Sequence, residues 1–402
     1  MNNDNTVGGP LSGKRVLELG SLIAGPFCGQ LLGDFGADVV KIEDPGNGDP
    51  MRRWGNQADG FSLTWPVIAR NKRSVTCNLR DPRGQELVRR LAAHSDVLVE
   101  NFRPGTLERW NLGYAELAAV NPGLVLVRVT GYGQDGPYAG RAGFGSIGEA
   151  MGGVRYTTGD PDHPPSRTGI SLGDSLAGMF AAFGAVMALL DRERTGRGQV
   201  VDSAIYEAVL ALMEALIPEW EIAGHRRERT GSVLPGVAPS NVYPTADGAE
   251  ILIAANGDAV FTRLCDAMGN PGLAANPRYR THRARGDNLA ELDRIVGQWT
   301  ASRPSADLLD HLHAAGVPAG RIYTAADMTE DAHFRARDAI VRLLHPRLGA
   351  FPMQNVAPRL SASPGNVRSL GPELGAHNEA VYGRLLGLDA ADREKLAAEG
   401  VI

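Results

Sequence analysis

The chain has 402 residues, 43% of them hydrophobic and 22% charged, with a formal charge of −5 at pH 7. That length exceeds one ordinary core and predicts at least two domains, while the acidic balance argues against a nucleic-acid partner. Three scattered cysteines, Cys28, Cys77 and Cys265, give neither a disulfide framework nor a metal cluster and fit a reducing, cytoplasmic compartment.

The opening stretch "MNNDNTVGGPLSGKR" has no apolar segment of the kind a secretory leader needs. Strand and helix patterns then alternate. "RVLELG" reads as a strand, "PFCGQLLGDFG" as a helix ending on Gly36, and "ADVVKIE" and "RSVTCNL" as strands. "DPRGQELVRRLAAHS" opens a helix with Asp81 as N-cap and Pro82 at the first helical position. "DVLVEN" and "LVLVRVT" complete a set that predicts a parallel sheet covered by helices, with ligands at its strand ends.

Residues 131–173 read as a long loop, ordered because aromatic and aliphatic residues punctuate its glycines. The apolar run from Leu176 to Leu190 falls short of the roughly 18 residues of a membrane span and reads as a buried helix. "GRGQVVDSAIYEAVLALMEALI" reads as a strand and an amphipathic helix, and composition shifts at "AGHRRERTG". A second domain follows, with a strand in "EILIAAN", helices in "FTRLCDAMG", "LAELDRIVGQWTA" and "SADLLDHLHAAG", and a turn and strand in "GVPAGRIYT". "LLGLDAADREKLAAEGVI" reads as a polar helical tail.

Three motif matches fail on context. "GYGQDG" at Gly131 follows a strand but opens no helix, and "GFGSIG" at Gly143 follows no strand, so neither predicts a nicotinamide site. "GGPLSGKR" carries Arg15 where a phosphate loop needs Ser or Thr, and precedes its strand. "GISLG" offers Ser171 as a serine nucleophile, with His377 to complete the order, but Pro164 and Pro165 forbid the strand such an elbow requires. His311 and His313 alternate within a helix pattern and do not share a face for a metal.

Asp174 is the carboxylate that draws attention. It stands in "GISLGDSLAGMFAAFGAVMALL" between small and apolar residues. One reading is a helix N-cap. The other is a nucleophile kept ionised by the positive end of the helix, approachable across neighbouring glycines, with helix amides available to an oxyanion.

The segments "GKRVLELGSLIAGPFCGQLLGDFGADVVKIEDPGNGDPMRRWG", "NKRSVTCNLRDPRG", "DVLVENFRPGTLERWNLGY", "GYGQDGPY", "GDSLAGMFAAFGAVMALLDRERTGRGQVVDSAIYEAV" and "GVPAGRI", in this order, resemble the class III coenzyme A transferases of the CaiB/BaiF type. The resemblance covers nearly the whole chain. It implies an α/β architecture: a Rossmann-like large domain with a parallel sheet, built from residues 1–220 and a returning C-terminal segment 345–402, and a smaller α+β domain with its linkers over 221–344. It further implies an interlaced-ring homodimer. No membrane partner and no nucleic acid are expected, and coenzyme A and acyl-CoA enter as substrates with no permanently bound cofactor and no metal.

By the same resemblance Asp174 is the catalytic acyl carrier, and the enzyme is a transferase of the EC 2.8.3 type. The CoA site falls to Ala24, Cys77, Asn78, Arg80, Asn101, Phe102, Arg103, Arg109, Gly143 and Phe144. Arg suits phosphate through its planar fork. Asp44 stands where formyl-CoA transferase has an Arg, so Arg73 or Arg80 is expected to take over that phosphate contact. Ile23, Arg52 and Glu149 are candidates for the acid pocket, Arg52 as partner of a distal carboxylate.

Three departures count against oxalate as the acceptor: Ile23 for Gln, Phe144 for Tyr, and "GSVLPGVAPSNVYP" for a run of four glycines. The branch that moves CoA from succinyl-CoA to small dicarboxylic acids is the nearer likeness. The alternatives are a formyl-CoA:oxalate transferase and an α-methylacyl-CoA racemase. The racemase needs a His where this chain has Phe144, which moves no proton. A non-catalytic CoA-binding protein would not need Asp174 in its Gly-Asp setting.

Overall fold

A computed structural model describes residues 8–402; the first seven residues of the opening stretch lie outside the described residues. The chain divides into two units. The larger holds the chain up to Arg155, Thr168–Ala215 and His333–Ile402, and the smaller holds Tyr156–Arg167 and Leu216–Ala332. The second break therefore falls at 332/333 rather than 344/345. A boundary at 344 would cut the hairpin in which Ile340–His345 pairs antiparallel with Gly349–Gln354.

The larger unit is built on β1 (Arg15–Glu18), β2 (Asp38–Glu43), β3 (Lys72–Thr76), β4 (Val97–Glu100), β5 (Val125–Thr130) and β6 (Val200–Ala204). They form one parallel sheet in the order β3-β2-β1-β4-β5-β6. Alternation along each strand explains its two covered faces. Val16, Val39, Val97 and Val125 point to one apolar cluster, and Leu17, Val40, Leu98 and Leu126 to another. The first face is covered by α1 (Ala24–Asp34), and the second by α2 (Pro82–Ala92), whose N-cap Asp81 accepts from the Arg83 amide as expected. The C-terminal segment packs on that second face through Val381, Tyr382 and Val401. It also closes the edge of β3: the Tyr382 hydroxyl donates to the Thr76 carbonyl at 2.8 Å, and His377 N–H to the Ser74 carbonyl at 2.9 Å.

Three local expectations change. The 131–173 stretch is not all loop: α3 (Gly145–Met151) lies within it, with a single turn at Val154–Thr157. Two glycines in the seven residues "GSIGEAM" hide the helix from propensity, and close packing is why they are there. The next helix, α4 (Leu172–Thr195), begins two residues before Asp174, so the N-cap is Ser171 and Asp174 is the third helical residue. The amphipathic helix after β6 is broken: α5 (Ile205–Leu210) stops, Glu214 takes a left-handed φ of 52°, and α6 (Leu216–Ala223) belongs to the smaller unit.

By length and composition α4 could cross a membrane, but half of its apolar window is buried inside the protein. Leu176, Ala177, Ala181, Ala185 and Ala188 enter the first cluster, while Met179, Phe183, Val186, Met187 and Leu190 form an exposed stripe at helical spacing.

In the smaller unit, β7 (Ser240–Pro244), β8 (Glu250–Ala254) and β9 (Ala319–Arg321) form an antiparallel sheet in the order β9-β8-β7. Its core joins Tyr243, Ile251 and Ile253 to α7 (Asp258–Ala267), α8 (Leu289–Thr300) and α9 (Ser305–Ala314). His311 and His313 on α9 bond through Nε2 to the Ala267 and Ala319 carbonyls, and no metal-binding cluster occurs among the described residues.

Candidate active site

The strand order reverses at β1, and the crevice outside the carboxyl ends of β1 and β4 is where such a sheet takes ligands. Asn101, just after β4, ties the two loops there together. Its Oδ1 accepts from the Ser21 amide at 2.9 Å, and its Nδ2 donates to the Ser21 carbonyl at 2.8 Å. Both ends of this carboxamide are thus engaged in shaping the β1–α1 loop. Leu22 in that loop is left-handed, with φ 64°, and its amide is held by Asp49 Oδ1 at 3.2 Å.

A buried charge network lies beneath. Lys41 Nζ meets Glu18 at 2.9 Å, Asp49 at 2.8 Å and the Gly20 carbonyl at 2.8 Å. Lys72 Nζ meets Glu18 at 2.8 Å and the Pro26 carbonyl at 2.7 Å. Burial alone would raise the Asp49 carboxyl, but Lys41 beside it holds it below the ordinary value. Paired charges satisfy the desolvation of each group and fix the loop from below. Nothing in the sequence reading singled out these residues. The available signal was a Glu or Lys inside strands otherwise apolar, as in "RVLELG" and "ADVVKIE".

Asp174 stands one turn before Gly178, where α4 crosses the start of α1. A Cβ on Gly178 would lie 2.6 Å from the Ala24 carbonyl oxygen, so only glycine allows the crossing. On its other side the Asp174 carboxylate rests on Gly145, the first residue of α3. A Cβ there would meet Asp174 Cγ at 2.7 Å and Oδ1 at 3.0 Å. Asp174 is partly exposed, so it is reachable. Glu149, on α3, accepts from the Gly173 amide at 3.2 Å and from Arg155 at 2.8 Å. The Gly173 amide, one of the helix amides expected to be available to an oxyanion, is therefore engaged by Glu149.

The other residues of the sequence reading divide. Phe144 caps α3 and is 65% exposed, and Gly143 lies against Gly131 at the end of β5. Ala24 is buried and Ile23 partly buried beside the same first turn of α1. Asn101, Ile23, Ala24, Phe144, Glu149 and Asp174 thus belong to adjoining elements around one corner of the larger unit. Phe102 stacks edge-on against Trp110 with centroids 5.2 Å apart, and its amide is held by Glu100 at 2.7 Å. Arg128 on β5 braces that loop, bonding Glu100 and Glu108 at 2.7 Å each. Arg103 and Arg109 remain exposed beside it.

Cys77, Asn78 and Arg80 follow β3, at the far edge of the sheet. The Cys77 thiol is buried, its pKa pushed up to about 12 by desolvation, and it donates to the Gly84 carbonyl. Arg80 is exposed, whereas Arg73 is engaged by Asp38. Asp44 caps its own turn through the Gly46 and Asn47 amides. Arg52 is held by Glu43 at 2.7 and 2.8 Å, donates to the Pro372 carbonyl and lies 3.9 Å over the Trp65 ring.

Comparison with known proteins places this geometry. Residues 11–378 match the profile of CoA-transferase family III. The chain is 59% identical over 394 residues to a succinyl-CoA–D-citramalate CoA-transferase of Chloroflexus aurantiacus, covering 98% of each chain. It is 43% identical to the beta subunit of a succinyl-CoA–L-malate CoA-transferase of the same organism, again over 98% of each. A crystal structure of a CaiB/BaiF family protein from Brucella suis superposes with a TM-score of 0.82 at 35% identity, covering 94% of this chain and all of that one. With a partly exposed carboxylate on the first turn of α4, a strand-order reversal at β1 and relatives of this kind along its whole length, the chain belongs to CoA-transferase family III.

Proposed function

We propose that this enzyme moves CoA from succinyl-CoA to a small dicarboxylic acid, with Asp174 as the acyl carrier. Four exchanges balance the reaction. The Asp174 carboxylate attacks the succinyl thioester, giving a mixed anhydride and releasing CoA thiolate. The thiolate attacks the aspartyl carbonyl, giving an aspartyl-CoA thioester and free succinate. The acceptor carboxylate attacks that thioester and displaces CoA thiolate, which then attacks the acceptor's acyl carbonyl and regenerates Asp174. No water is consumed and the thioester is conserved, so the reaction runs in either direction.

The observation that carries this reading is the setting of Asp174: a partly exposed carboxylate on the first turn of a 24-residue helix, with the backbone of Gly145 close against it. The helix terminus favours the ionised, nucleophilic form. The names of the relatives favour a C4–C5 hydroxydicarboxylic acceptor of the malate or citramalate type. Phe144 supplies no second proton carrier, which supports transfer over racemisation. Arg103 and Arg109, exposed beside the crevice, suit CoA phosphates. We also place the enzyme in the cytoplasm as a homodimer, a second copy covering the exposed stripe of α4.

The test is intact-protein mass spectrometry after incubation with succinyl-CoA and then hydroxylamine, followed by an acceptor panel of malate, citramalate, glutarate and oxalate. A covalent adduct mapping to Asp174, absent in Asp174→Ala, is expected. An unmodified protein that nevertheless exchanges solvent deuterium into a methylacyl-CoA would replace this reading with a racemase.

A further inference from the structure

We infer that Glu149 is a positioning residue for Asp174, acting by reach rather than by charge: it fastens α3 to the first turn of α4 and so sets where the Asp174 carboxylate points. This rests on the reading of Asp174 as the acyl carrier.

A helix leaves its first amides without partners, and a side chain at the N-cap normally meets one of them. Ser171 is the N-cap of α4, and its hydroxyl makes no such bond. The Gly173 amide is met instead from another helix, by Glu149 Oε1 at 3.2 Å. Glu149 is only 1% exposed, a setting that an ionised carboxylate tolerates when it is fully bonded. Its second oxygen accepts from Arg155 Nη2 at 2.8 Å. With both oxygens engaged in the fold, Glu149 is not a direct ligand for the incoming acid.

Its place on α3 gives the bond its consequence. Gly145, Gly148 and Glu149 are related by three and four residues and share one face of the helix. Gly145 carries the Asp174 carboxylate against its backbone. A Cβ at Gly148 would come within 2.8 Å of Ile205 Cβ, and one at Gly173 within 3.0 Å of the Gly145 carbonyl oxygen. α3 and α4 thus meet closely at Gly145 and Gly173, while Gly148 lets α3 pack against Ile205 at the start of α5. The Glu149–Gly173 bond is the polar fastening of that contact, and Arg155 keeps Glu149 in place. Loosening it lets α3 slide along α4 and removes the wall behind Asp174.

Two conservative variants separate reach from charge. Glu149→Gln keeps an oxygen at the right length for the Gly173 amide and loses both the charge and the bond from Arg155, a side chain 24% exposed that water can serve instead. Glu149→Asp keeps the charge and is one methylene too short. Each is purified alongside the wild type and measured for kcat, for KM of succinyl-CoA, and for the rate of adduct formation on Asp174 by quenched mass spectrometry. The Gln variant is expected to keep kcat within about threefold. The Asp variant is expected to lose about tenfold or more in kcat and in adduct rate, since a displacement near 1 Å costs up to about a hundredfold. KM for succinyl-CoA is expected to move less than about twofold in both, because neither touches the CoA crevice. A merely structural role would lower the melting temperature without this ordering. The inference is overturned if the Asp variant is as active as the wild type, if the Gln variant falls as far as the Asp variant, or if the ordering reverses. A wild-type protein that forms no adduct at Asp174 would instead remove the acyl-carrier reading, and this inference with it.

Discussion

Replacing Gly145 with Ala should uncouple stability from catalysis. The added Cβ would lie 2.7 Å from Asp174 Cγ and nearer still to Oδ2. Non-bonded carbons settle at about 3.5–4.0 Å, so either the carboxylate or the start of α3 must give by about 1 Å. The Gly145 side of α3 is held by Glu149 and Gly148, so the partly exposed Asp174 side chain is the softer of the two. A swing of that size costs about 0.5–1.5 kcal/mol as an off-rotamer conformation, roughly offset by the better helix propensity of Ala. The nucleophile, by contrast, is displaced by about 1 Å, which is worth up to about a hundredfold in rate, or about 2.7 kcal/mol of barrier. The assay pairs a urea melt with steady-state CoA transfer from succinyl-CoA to citramalate. The expected result is an unchanged midpoint with kcat lowered by one to two decades. A variant with full kcat would refute the claim that the contact with Gly145 sets the working position of Asp174, and a large loss of stability would show that α3 gives way first.

Arg52→Ala should act on stability, not on acid choice. Arg52 is 14% exposed and the Glu43 side chain beneath it is 0% exposed, so the deletion leaves a buried carboxylate without its main partner, at about 3–5 kcal/mol. A urea midpoint unchanged from the wild type, together with a raised KM for the dicarboxylate, would return Arg52 to the acid pocket. Phe183→Asp places a charge in the exposed stripe of α4, where Phe183 is 59% exposed. Light scattering after gel filtration should show a dimer for the wild type and a smaller species for the variant; a monomeric wild type would remove the homodimer reading.

Local chemistry made much of this protein legible from its sequence. Five of the six parallel strands announced themselves as short β-rich runs and the sixth as a strand without a sheet, α2 through Asp81 and Pro82, and Asp174 through its isolation among small residues. These signals are short-range: a period, a cap, a charge where none is expected. What the sequence could not decide was partnership across long separations. The short helix α3 was hidden because Gly145 and Gly148 weaken it locally, and only the approach of Asp174 and Ile205 explains why they are glycines. Asn101 looked like a ligand contact, yet its carboxamide is engaged by Ser21, 80 residues away. Arg52 looked like an anion site, yet Glu43 and Trp65 engage it in the fold. Glu18, Lys41, Asp49 and Lys72 escaped notice altogether, since an ion pair is a property of two residues and neither strand contains both. A sequence sets what each residue can do; burial and distance, fixed only when the strands assemble, decide which residues are buried by the fold and which, like Asp174, stand partly exposed.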